Sequence, residues 1–395
     1  MRDGWVEATL REALEPIANR PNGKDYPLVL SVTEKRGIIP QNEIFNHRIA
    51  TDDISKYKVL EPMDIAYNPY LLWCGAIGQW QGTQAGVVSP VYECFRVKSS
   101  CEPRYLGYIF ETGILTNYFD ALAIGSIVRR RRTIPSDFIA APVQLPPLSE
   151  QKRIVDLISS VDSYIETLRH QLESAKRSRN AVLHELLATG GDDWQQTTLG
   201  DIANWGSGGT PKADNPEFYS GDVPWCVIGD LTEREVLKTE KTITKLGLSN
   251  SSAKVIAPDS VLLAMYGASI GKTGISAIPM ATNQAIAFAK CKTELALPRY
   301  LLAYLQSQKS RFVEMGHGAA QPNISQTIIK SWPLTLPPIS FQVEVISTID
   351  YFDVHLLNLE RSIDSSRAVR SSILSDLLSG DHEIPASYDK LMDIA

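Results

Sequence analysis

The sequence lacks most of the features that mark a membrane protein, a secreted protein or a metalloprotein. It has no run of about 18 apolar residues, so no transmembrane helix is expected. The segment that follows Met1 has no apolar core of a signal peptide. The five cysteines form no Cys-x-x-Cys pair, which argues against a zinc site and a disulfide framework. We therefore expect reduced thiols in a cytoplasmic protein.

The sequence also lacks a complete nucleotide or catalytic motif. Only three residues separate the glycines of Gly267-Ala268-Ser269-Ile270-Gly271-Lys272-Thr273, whereas a Walker A loop needs four to wrap phosphates with its backbone amides. Asn68-Pro69-Tyr70 lacks the second proline of an amino-methyltransferase motif, and no glycine-rich cofactor loop precedes it. The six scattered histidines suggest no triad or dyad. We expect no catalytic residue, no metal site and no cofactor in this chain.

The net charge of -6 argues weakly against nucleic-acid binding. The acidic excess lies in residues 340–395, however, and the globular regions are close to neutral. A neutral domain can still carry a basic face, so the charge alone does not decide the function.

An internal repeat organises the chain. The residues Leu145-Pro146-Pro147-Leu148-Ser149-Glu150-Gln151 recur as Leu336-Pro337-Pro338-Ile339-Ser340-Phe341-Gln342, 191 positions later. Trp5-x-x-x-Thr9-Leu10-x-Glu12 matches Trp194-x-x-x-Thr198-Leu199-x-Asp201, and Pro103-Arg104-Tyr105-Leu106 matches Pro298-Arg299-Tyr300-Leu301. The predicted order is a globular domain (1–144), a helix (145–190), a second globular domain (191–335), a second helix (336–380) and a tail (381–395).

Both helices carry a heptad seam of apolar residues, which is typical of a coiled coil. Ser149 and Ser340 are the predicted N-caps, and Gly190 and Gly380 mark the ends. Each helix should be about 60 Å long. The seams are Ile154, Ile158, Val161, Ile165, Leu168, Leu172, Ala175, Arg179, Val182, Leu186 and Val345, Ile349, Phe352, Leu356, Leu359, Ile363, Ser366, Arg370, Ile373, Leu377.

An arginine interrupts each seam at an equivalent position, Arg179 and Arg370. Each arginine either extends its head group to solvent or fixes the helix register by penalising wrong pairings. A pseudo-two-fold relation between the repeats predicts an intramolecular antiparallel coiled coil.

The globular domains are predicted to be mixed α/β or α+β. Strands are predicted at 28–32, 87–97, 223–228, 260–265 and 285–290, and helices at 104–111 and 298–308.

Polar and basic residues in glycine-rich turns are the candidates for ligand contact. The densest basic run is Arg129-Arg130-Arg131-Arg132, which is either a solvated face or a phosphate-binding edge. Gln79, Gln81, Gln84 and the pair Asn283-Gln284 are either turn residues or amides that read adenine in the major groove. The glycine turn before Lys272 and Thr273 could present both residues to a polyanion.

These motifs together resemble the specificity subunits of type I restriction-modification enzymes. The resemblance covers nearly the whole chain and rests on the two Leu-Pro-Pro helix entries. In the second domain it also rests on Gly206-Ser207-Gly208-Gly209-Thr210-Pro211, Val223-Pro224-Trp225, Gly271-Lys272-Thr273-Gly274, Ala281-Thr282-Asn283-Gln284 and Gln321-Pro322-Asn323-Ile324-Ser325. The first domain lacks the Gly-x-Thr-Pro segment and the Asn-Gln pair.

The resemblance implies two target recognition domains that each read one half of a bipartite double-stranded DNA sequence. It implies that the helices set the spacer and dock two methyltransferase subunits, with restriction subunits as further partners. S-adenosylmethionine, ATP and magnesium would be bound by those partners. The DNA-contact residues proposed on these grounds are Lys35, Arg36, Gln79, Gln81, Gln84, Arg129, Arg130, Arg131, Arg132, Ser207, Thr210, Lys212, Lys272, Thr273, Asn283, Gln284, Gln321 and Asn323.

Three other hypotheses remain open on the sequence alone. A coiled-coil adaptor that binds proteins explains the helices but not the glycine-rich polar loops of both domains. An ATPase that uses 267–273 conflicts with the short glycine spacing. A modification-only system would use the same recognition chain without restriction subunits.

Overall fold

The structure is a computed structural model that describes residues 4–34, 36–44, 53–124, 131–316 and 323–392. The chain divides into two compact units. Unit 1 contains residues 1–168 and 362–395, and unit 2 contains residues 169–361. Each unit therefore holds one globular domain, named domain 1 or domain 2 below, and one segment of each long helix.

The helices are few and mostly short, apart from two of 41 residues each. They are α1 (Leu10–Ala13), α2 (Pro103–Glu111), α3 (Thr116–Leu122), α4 (Pro135–Ile139), α5 (Leu148–Ala188), α6 (Leu199–Ile202), α7 (Lys245–Ser249), α8 (Pro298–Ser307), α9 (Lys309–Gly316), α10 (Gln326–Lys330), α11 (Ile339–Ser379) and α12 (Asp389–Met392). No helix within the described ranges is both long enough and apolar enough to cross a bilayer.

The strands are short and belong to several small sheets. They are β1 (Val6–Thr9), β2 (Leu14–Ile17), β3 (Leu30–Thr33), β4 (Gly37–Pro40), β5 (Lys58–Leu60), β6 (Ile65–Tyr67), β7 (Ile77–Gln79), β8 (Gly86–Val88), β9 (Glu93–Val97), β10 (Pro142–Leu145), β11 (Gln195–Thr198), β12 (Ala203–Ser207), β13 (Tyr219–Cys226), β14 (Glu235–Val236), β15 (Lys241–Ile243), β16 (Val255–Ile256), β17 (Val261–Ala264), β18 (Thr273–Ser276), β19 (Met280–Thr282), β20 (Ile286–Cys291) and β21 (Pro333–Leu336).

Both domains are built on the same central sheet. Its order is β2-β9-β6-β7 in domain 1 and β12-β20-β17-β18 in domain 2, where β14 extends the edge. Domain 2 has a second sheet, β15-β13-β19-β16, whereas domain 1 has the pairs β3-β4 and β5-β8. The mixed helix-and-sheet fold predicted for both domains is confirmed. The predicted strand at 87–97 is instead two strands, β8 and β9, separated by a turn at Ser89-Pro90.

A two-stranded antiparallel ribbon leads from each domain to its long helix. β1 pairs with β10 in unit 1, and β11 pairs with β21 in unit 2. The repeated threonines start short helices here. The Glu12 carboxylate accepts a hydrogen bond from the Thr9 N–H at 2.7 Å, and Asp201 accepts one from the Thr198 N–H at 3.1 Å. This reciprocal capping explains the repeated Thr-Leu-x-acid motif.

The repeated glutamine of the helix entry is buried and joins the helix to the domain. The Gln342 side chain donates to the carbonyls of Leu295 and Pro337, both at 2.9 Å, and accepts from the Leu297 N–H at 2.9 Å. In unit 1, Gln151 donates to Pro146 at 2.9 Å and accepts from the Glu102 N–H at 2.9 Å. Sequence reasoning missed this role, although the recurrence of the glutamine was its signal.

The helix starts differ from the prediction by two residues. α5 begins at Leu148 and α11 at Ile339, so Ser149 and Ser340 lie inside the first turn and are not the N-caps. The carbonyls of Pro147 and Pro338 accept the first backbone bonds of the helices. The predicted glycine ends are confirmed, since Gly190 and Gly380 have φ values of +68° and +78°.

Within each unit, the two long-helix segments run antiparallel. In unit 2, Leu183 and Leu186 belong to the same core as Val345 and Ile349, and Arg179 pairs with Asp353. Residues later in α5 thus pack against residues earlier in α11, as the predicted coiled coil requires. In unit 1, Ile154 and Ile158 of α5 share the domain core with Leu374 and Leu377 of α11.

The seam arginines form equivalent ion-pair clusters, which we call the clasps. In the unit 2 clasp, Arg179 binds both Asp353 oxygens, at 2.6 and 3.3 Å, and Gln306 of α8 at 3.0 Å. In the unit 1 clasp, Arg370 binds Asp162 at 2.5 and 3.0 Å and Glu111 of α2 at 3.2 Å.

Each clasp therefore ties both helices to the adjacent domain. Arg179 is only 9% exposed. The pairing across the helices favours the register interpretation over an arginine that extends to solvent.

Candidate nucleic-acid interface

The polar motifs of domain 2 converge at one end of its central sheet. β12 ends at Ser207 beside Ala287 of β20, and the chain continues to Thr210. β17 pairs Ala264 with Ile286, and the Met265 N–H donates to the Ala285 carbonyl at 2.9 Å. The next residues beyond this pair are Tyr266, which follows β17, and Gln284, which precedes β20. We call the group formed by Ser207, Thr210, Tyr266, Gln284 and Asn323 the sheet-end cluster.

Close backbone packing explains the glycine pair that precedes Thr210. A Cβ atom on Gly208 would lie 1.9 Å from the carbonyl oxygen of Thr282, and one on Gly209 would lie 2.3 Å from the Ser252 hydroxyl. Neither position can hold a larger residue without a shift of the backbone. The two glycines therefore let the loop carry Thr210 to the strand entry at Gln284.

Thr210 and Gln284 form a polar pair at the surface. The Thr210 hydroxyl donates a hydrogen bond to Oε1 of Gln284, and both residues are exposed. Because the amide oxygen is engaged, Nε2 is the group that Gln284 offers to a ligand as a donor. Purine N7, guanine O6 and thymine O4 are acceptors of this kind in the major groove. Asn283 is half-buried, and its Oδ1 accepts from the Ala285 N–H at 3.2 Å, which shapes the turn.

Asn323 joins the cluster from a separate segment. It forms a β-bridge with Tyr266, and the next residue, Ile324, donates its N–H to the Met265 carbonyl at 2.9 Å. Lys212 is exposed two residues after Thr210, and Ser207 is half-buried. The register therefore brings together four segments that are far apart in sequence.

Lys272 and Thr273 point away from this cluster. Thr273 is fully buried in β18. Lys272 is half-buried and lines a cavity of about 590 Å³ beside the unit 2 clasp, together with Glu233, Asp353 and Glu360. The glycine turn does not present these two residues side by side to a polyanion, and Thr273 is inaccessible to DNA because of its burial.

The candidates of domain 1 are more dispersed. Gln79 is 6% exposed and donates to the carbonyls of Met63 and Pro103 at 3.0 and 2.7 Å. It therefore holds the sheet to α2 and is unavailable for base contact. Gln81 and Gln84 are exposed, and the Gln81 amide donates to Gln79 at 2.9 Å. Arg36 is exposed and pairs with Glu43 at 2.5 Å.

Two arginines of the basic run lie against aromatic rings. Arg131 binds Asp120 at 2.6 Å, and its guanidinium lies 4.9 Å from the centre of the Trp73 ring. Arg132 is exposed and lies 5.7 Å from the centre of the Tyr70 ring. Lys35, Arg129, Arg130 and Gln321 lie outside the described residues.

The cysteines play no part in this site. All five thiols are free, and four of them are buried. Burial raises the pKa of Cys94, Cys226 and Cys291 to about 12 each, so these thiols are protonated and unreactive near neutral pH. In the described part of the chain, no three His, Cys, Asp or Glu side chains group as a metal site would require.

Comparison with known proteins agrees with this architecture. Residues 191–365 match the family model for the type I restriction modification DNA specificity domain. A segment covering 52% of the chain is 26% identical to 52% of the EcoR124I/EcoR124II specificity subunit of Escherichia coli. The chain therefore spans about half the length of that relative. The putative MjaX specificity subunit of Methanocaldococcus jannaschii is 21% identical over 96% of this chain and 93% of its own.

Solved structures show the same fold. A chain from a study of complex assembly in a type I R-M system superposes with a TM-score of 0.63 at 18% identity, covering 97% of this chain and 99% of its own. The type I restriction-modification S subunit from M. genitalium gives 0.51 at 14% identity, covering 95% and 96%. The resemblance predicted from the repeat and loop motifs is confirmed by the match of residues 191–365 to the specificity-domain model and by the specificity subunits to which the chain is similar.

Proposed function

We propose that this chain reads double-stranded DNA for a type I restriction-modification complex, each domain recognising one half of a bipartite target. The observation that carries the proposal is one scaffold used twice with different polar surfaces. The central sheets share their strand order. In domain 2, Thr210 and Gln284 lie at the sheet end. In domain 1, the segment before the equivalent strand β9 contains Ser89 and Pro90 instead. Two such surfaces would read two different short sequences.

The proposed contacts divide into phosphate binding and base reading. Lys212 in domain 2 and Arg36, Arg131 and Arg132 in domain 1 would release counterions by binding phosphates. Gln284 and Asn323 in domain 2, and Gln81 and Gln84 in domain 1, would read base edges. Ser207, Thr210 and Asn283 would position these groups. Thr273 and Gln79 are not among the proposed contacts, because both side chains are buried.

The two long helices would set the distance between the half-sites and dock two methyltransferase subunits. α11 carries exposed apolar side chains in unit 2, at Val343 (49%), Tyr351 (77%) and Val354 (60%). Such residues, close together on one helix, fit a protein partner better than solvent. The repeat supplies a second helix of equal length, α5, for a second copy of that partner, although the positions equivalent to these three residues are Lys152, Ser160 and Ser163. S-adenosylmethionine, ATP and magnesium would then act in the partner subunits, and this chain would supply recognition without catalysis.

The decisive test is methylation sequencing of a plasmid from cells that express this chain with the methyltransferase encoded beside it. We expect a bipartite motif with a fixed gap to be methylated only when the chain is present. Replacing residues 1–144 with the equivalent part of a related subunit should change one half of the motif and leave the other half and the gap unchanged.

A failed test would favour the adaptor hypothesis. If methylation is the same without the chain while the partner proteins still associate with it, the helices act as a protein scaffold and the domains do not read DNA. A motif whose two halves both change after the swap would contradict the assignment of one half to each domain.

A further inference from the structure

Each domain exposes one tyrosine ring at its surface. Tyr70 is 41% exposed and Tyr266 is 42% exposed. Among the described residues of domains 1 and 2, no other phenylalanine, tyrosine or tryptophan reaches this exposure. Exposed single aromatic residues are common, so exposure alone does not assign a role. The two tyrosines differ from isolated surface residues because they occupy equivalent positions in the repeated fold.

The two tyrosines occupy the same place in the repeated fold. Ile65 of β6 faces Phe95 and Gln79, and Val261 of β17 faces Ala289 and Ile275, so these two strand positions are equivalent. Each tyrosine follows its strand position by five residues. A 3-10 turn comes next, Leu72–Cys74 or Gly267–Ser269, and then a left-handed glycine, Gly75 or Gly271.

A second segment fixes each tyrosine loop in the same way. The residue before Tyr70 accepts a backbone hydrogen bond from Thr133 at 3.0 Å, and the residue before Tyr266 accepts one from Ile324 at 2.9 Å. Arg132 and Asn323 precede these donors and are therefore equivalent. Arg132 and Asn323 are also 191 positions apart, which is the offset of the two helix entries.

The chemistry beside the two rings differs. The Arg132 guanidinium lies over the Tyr70 ring, 5.7 Å from its centre. Asn323 forms a backbone bridge with Tyr266, and Thr210 and Gln284 stand at the adjacent strand entry. A cation beside an aromatic ring suits a phosphate and its sugar, whereas amides beside a ring suit a base edge.

We propose that Tyr70 and Tyr266 are the equivalent DNA-contacting rings of the two domains. Each ring packs against a nucleotide of its half-site, with Arg132 on a neighbouring phosphate in domain 1 and Asn323 on a neighbouring base edge in domain 2. This inference rests on the proposed DNA-reading function. It adds two residues that were absent from the sequence prediction and gives the two half-sites different dependences on salt.

The test uses the complex of the full chain with its methyltransferase and a fluorescein-labelled duplex of about 40 base pairs carrying the motif found by methylation sequencing. Base faces in a duplex are covered by neighbouring bases, so each ring would contact a sugar or a base edge. Truncating an aromatic ring buried in an interface costs more than about 1 kcal/mol, so Tyr70→Ala and Tyr266→Ala should each weaken binding by about 5-fold or more. Tyr70→Phe and Tyr266→Phe keep the ring and should stay within about threefold of the wild type.

Salt dependence separates the two environments. Arg132→Gln should lower the slope of log affinity against log salt by about one, because one phosphate contact is lost. Asn323→Ala should weaken binding without changing that slope. Leu237→Ala, at an exposed apolar residue that follows β14, is the matched control and should bind like the wild type.

The measurements distinguish failure of the tyrosine proposal from failure of the proposed DNA-reading function. If the wild-type complex methylates no bipartite motif, DNA reading itself is wrong. If the wild type binds its motif and both alanine variants bind within twofold of it, the tyrosine proposal is overturned while DNA reading stands. Thermal unfolding checks that each variant folds, and Tyr266→Gln, which keeps a polar side chain without the ring, should lose affinity as Tyr266→Ala does.

Discussion

Domains 1 and 2 share a central sheet and the elements beside the long helices, but they differ in the strands that surround that sheet. The order β2-β9-β6-β7 is repeated as β12-β20-β17-β18, while the surrounding strands form two ribbons in domain 1 and a four-stranded sheet in domain 2. The shared parts are those that contact the long helices, namely α2 and α8, the β-ribbons and the helix entries. The framework that holds the helices is therefore constant, and the surface that would meet a target varies.

The clasps show the same contrast on a smaller scale. The Arg370 clasp uses Glu111, a carboxylate, where the Arg179 clasp uses the neutral Gln306. Burial alone would lower the pKa of Arg370, but hydrogen bonds and charge from Asp162 and Glu111 outweigh it and raise the pKa. The side chains of the unit 2 clasp are less exposed: the exposed fractions of the side chains alone are 11% for Arg179 and 24% for Asp353, against 19% for Arg370 and 38% for Asp162.

The largest loss of stability should come from removing the carboxylate of the unit 2 clasp. Asp353→Ala leaves the buried Arg179 without its carboxylate and should lower the free energy of unfolding by about 3 kcal/mol. Asp162→Ala in the more exposed clasp should cost about 1 kcal/mol, since Arg370 keeps Glu111 and solvent screens the charge. Denaturant unfolding of the full chain measures both. The double variant Arg179→Asp with Asp353→Arg should recover part of the loss, and equal costs for the two alanine variants would contradict the difference in burial.

The next effect concerns the buried helix-entry glutamines. Gln342→Ala leaves the Leu297 N–H and two carbonyl groups without their partner, and we expect a loss of about 2–3 kcal/mol. Gln151→Ala removes two of the hydrogen bonds shown in unit 1 and should cost less, about 1–2 kcal/mol. Hydrogen exchange should show faster opening of the first turn of α11 in the first variant and of α5 in the second. Exchange that accelerates only at distant sites would exclude a local anchoring role.

The next effect concerns the glutamines that are proposed to read base edges in the two domains. Gln284→Ala should reduce discrimination at one base pair in the half-site of domain 2 by about 1–3 kcal/mol, as expected for a side chain that contacts a base edge. Methylation sequencing should then show that position relaxed and the domain 1 half unchanged. Gln81→Ala is the matching change in domain 1. Relaxation of both halves by either variant would show that the two domains do not read independently.

The sequence predicted the parts of the fold that depend on local patterning. The Leu-Pro-Pro entries, the heptad seams and the glycines at the helix ends predicted the two long helices to within two residues of their ends. Predicted helices at 104–111 and 298–308 correspond to α2 and α8. These elements are set by periodicity and by proline and glycine geometry, which are readable from a single sequence.

The site was harder because it depends on strand register. Thr210, Gln284 and Asn323 meet only because β12, β20 and β17 pair in one particular order, which no local pattern encodes. The burial of Thr273 and Gln79 has the same origin, since both lie in strands whose inner face is set by neighbours distant in sequence. Tyr70 and Tyr266 went unrecognised because the loops that follow them share almost no residues beyond the glycine.

The smallest effect should come from the paired helix caps. The Thr9 hydroxyl and N–H hold the pKa of the Glu12 carboxyl below its ordinary value, and those of Thr198 do the same for the Asp201 carboxyl. A lowered folded-state pKa stabilises the protein above the unfolded pKa, and this stabilisation is lost as the pH falls through the folded pKa. Glu12→Gln and Asp201→Asn should therefore lower the thermal midpoint slightly at pH 7, and the difference from the wild type should shrink below about pH 4.5. Because aspartate has the lower ordinary pKa, the Asp201 difference should persist to a lower pH than the Glu12 difference. Differences that stay constant from pH 7 to pH 3 would mean that the two carboxylates act through packing rather than through their charge, and the caps would then be equivalent despite their different acids.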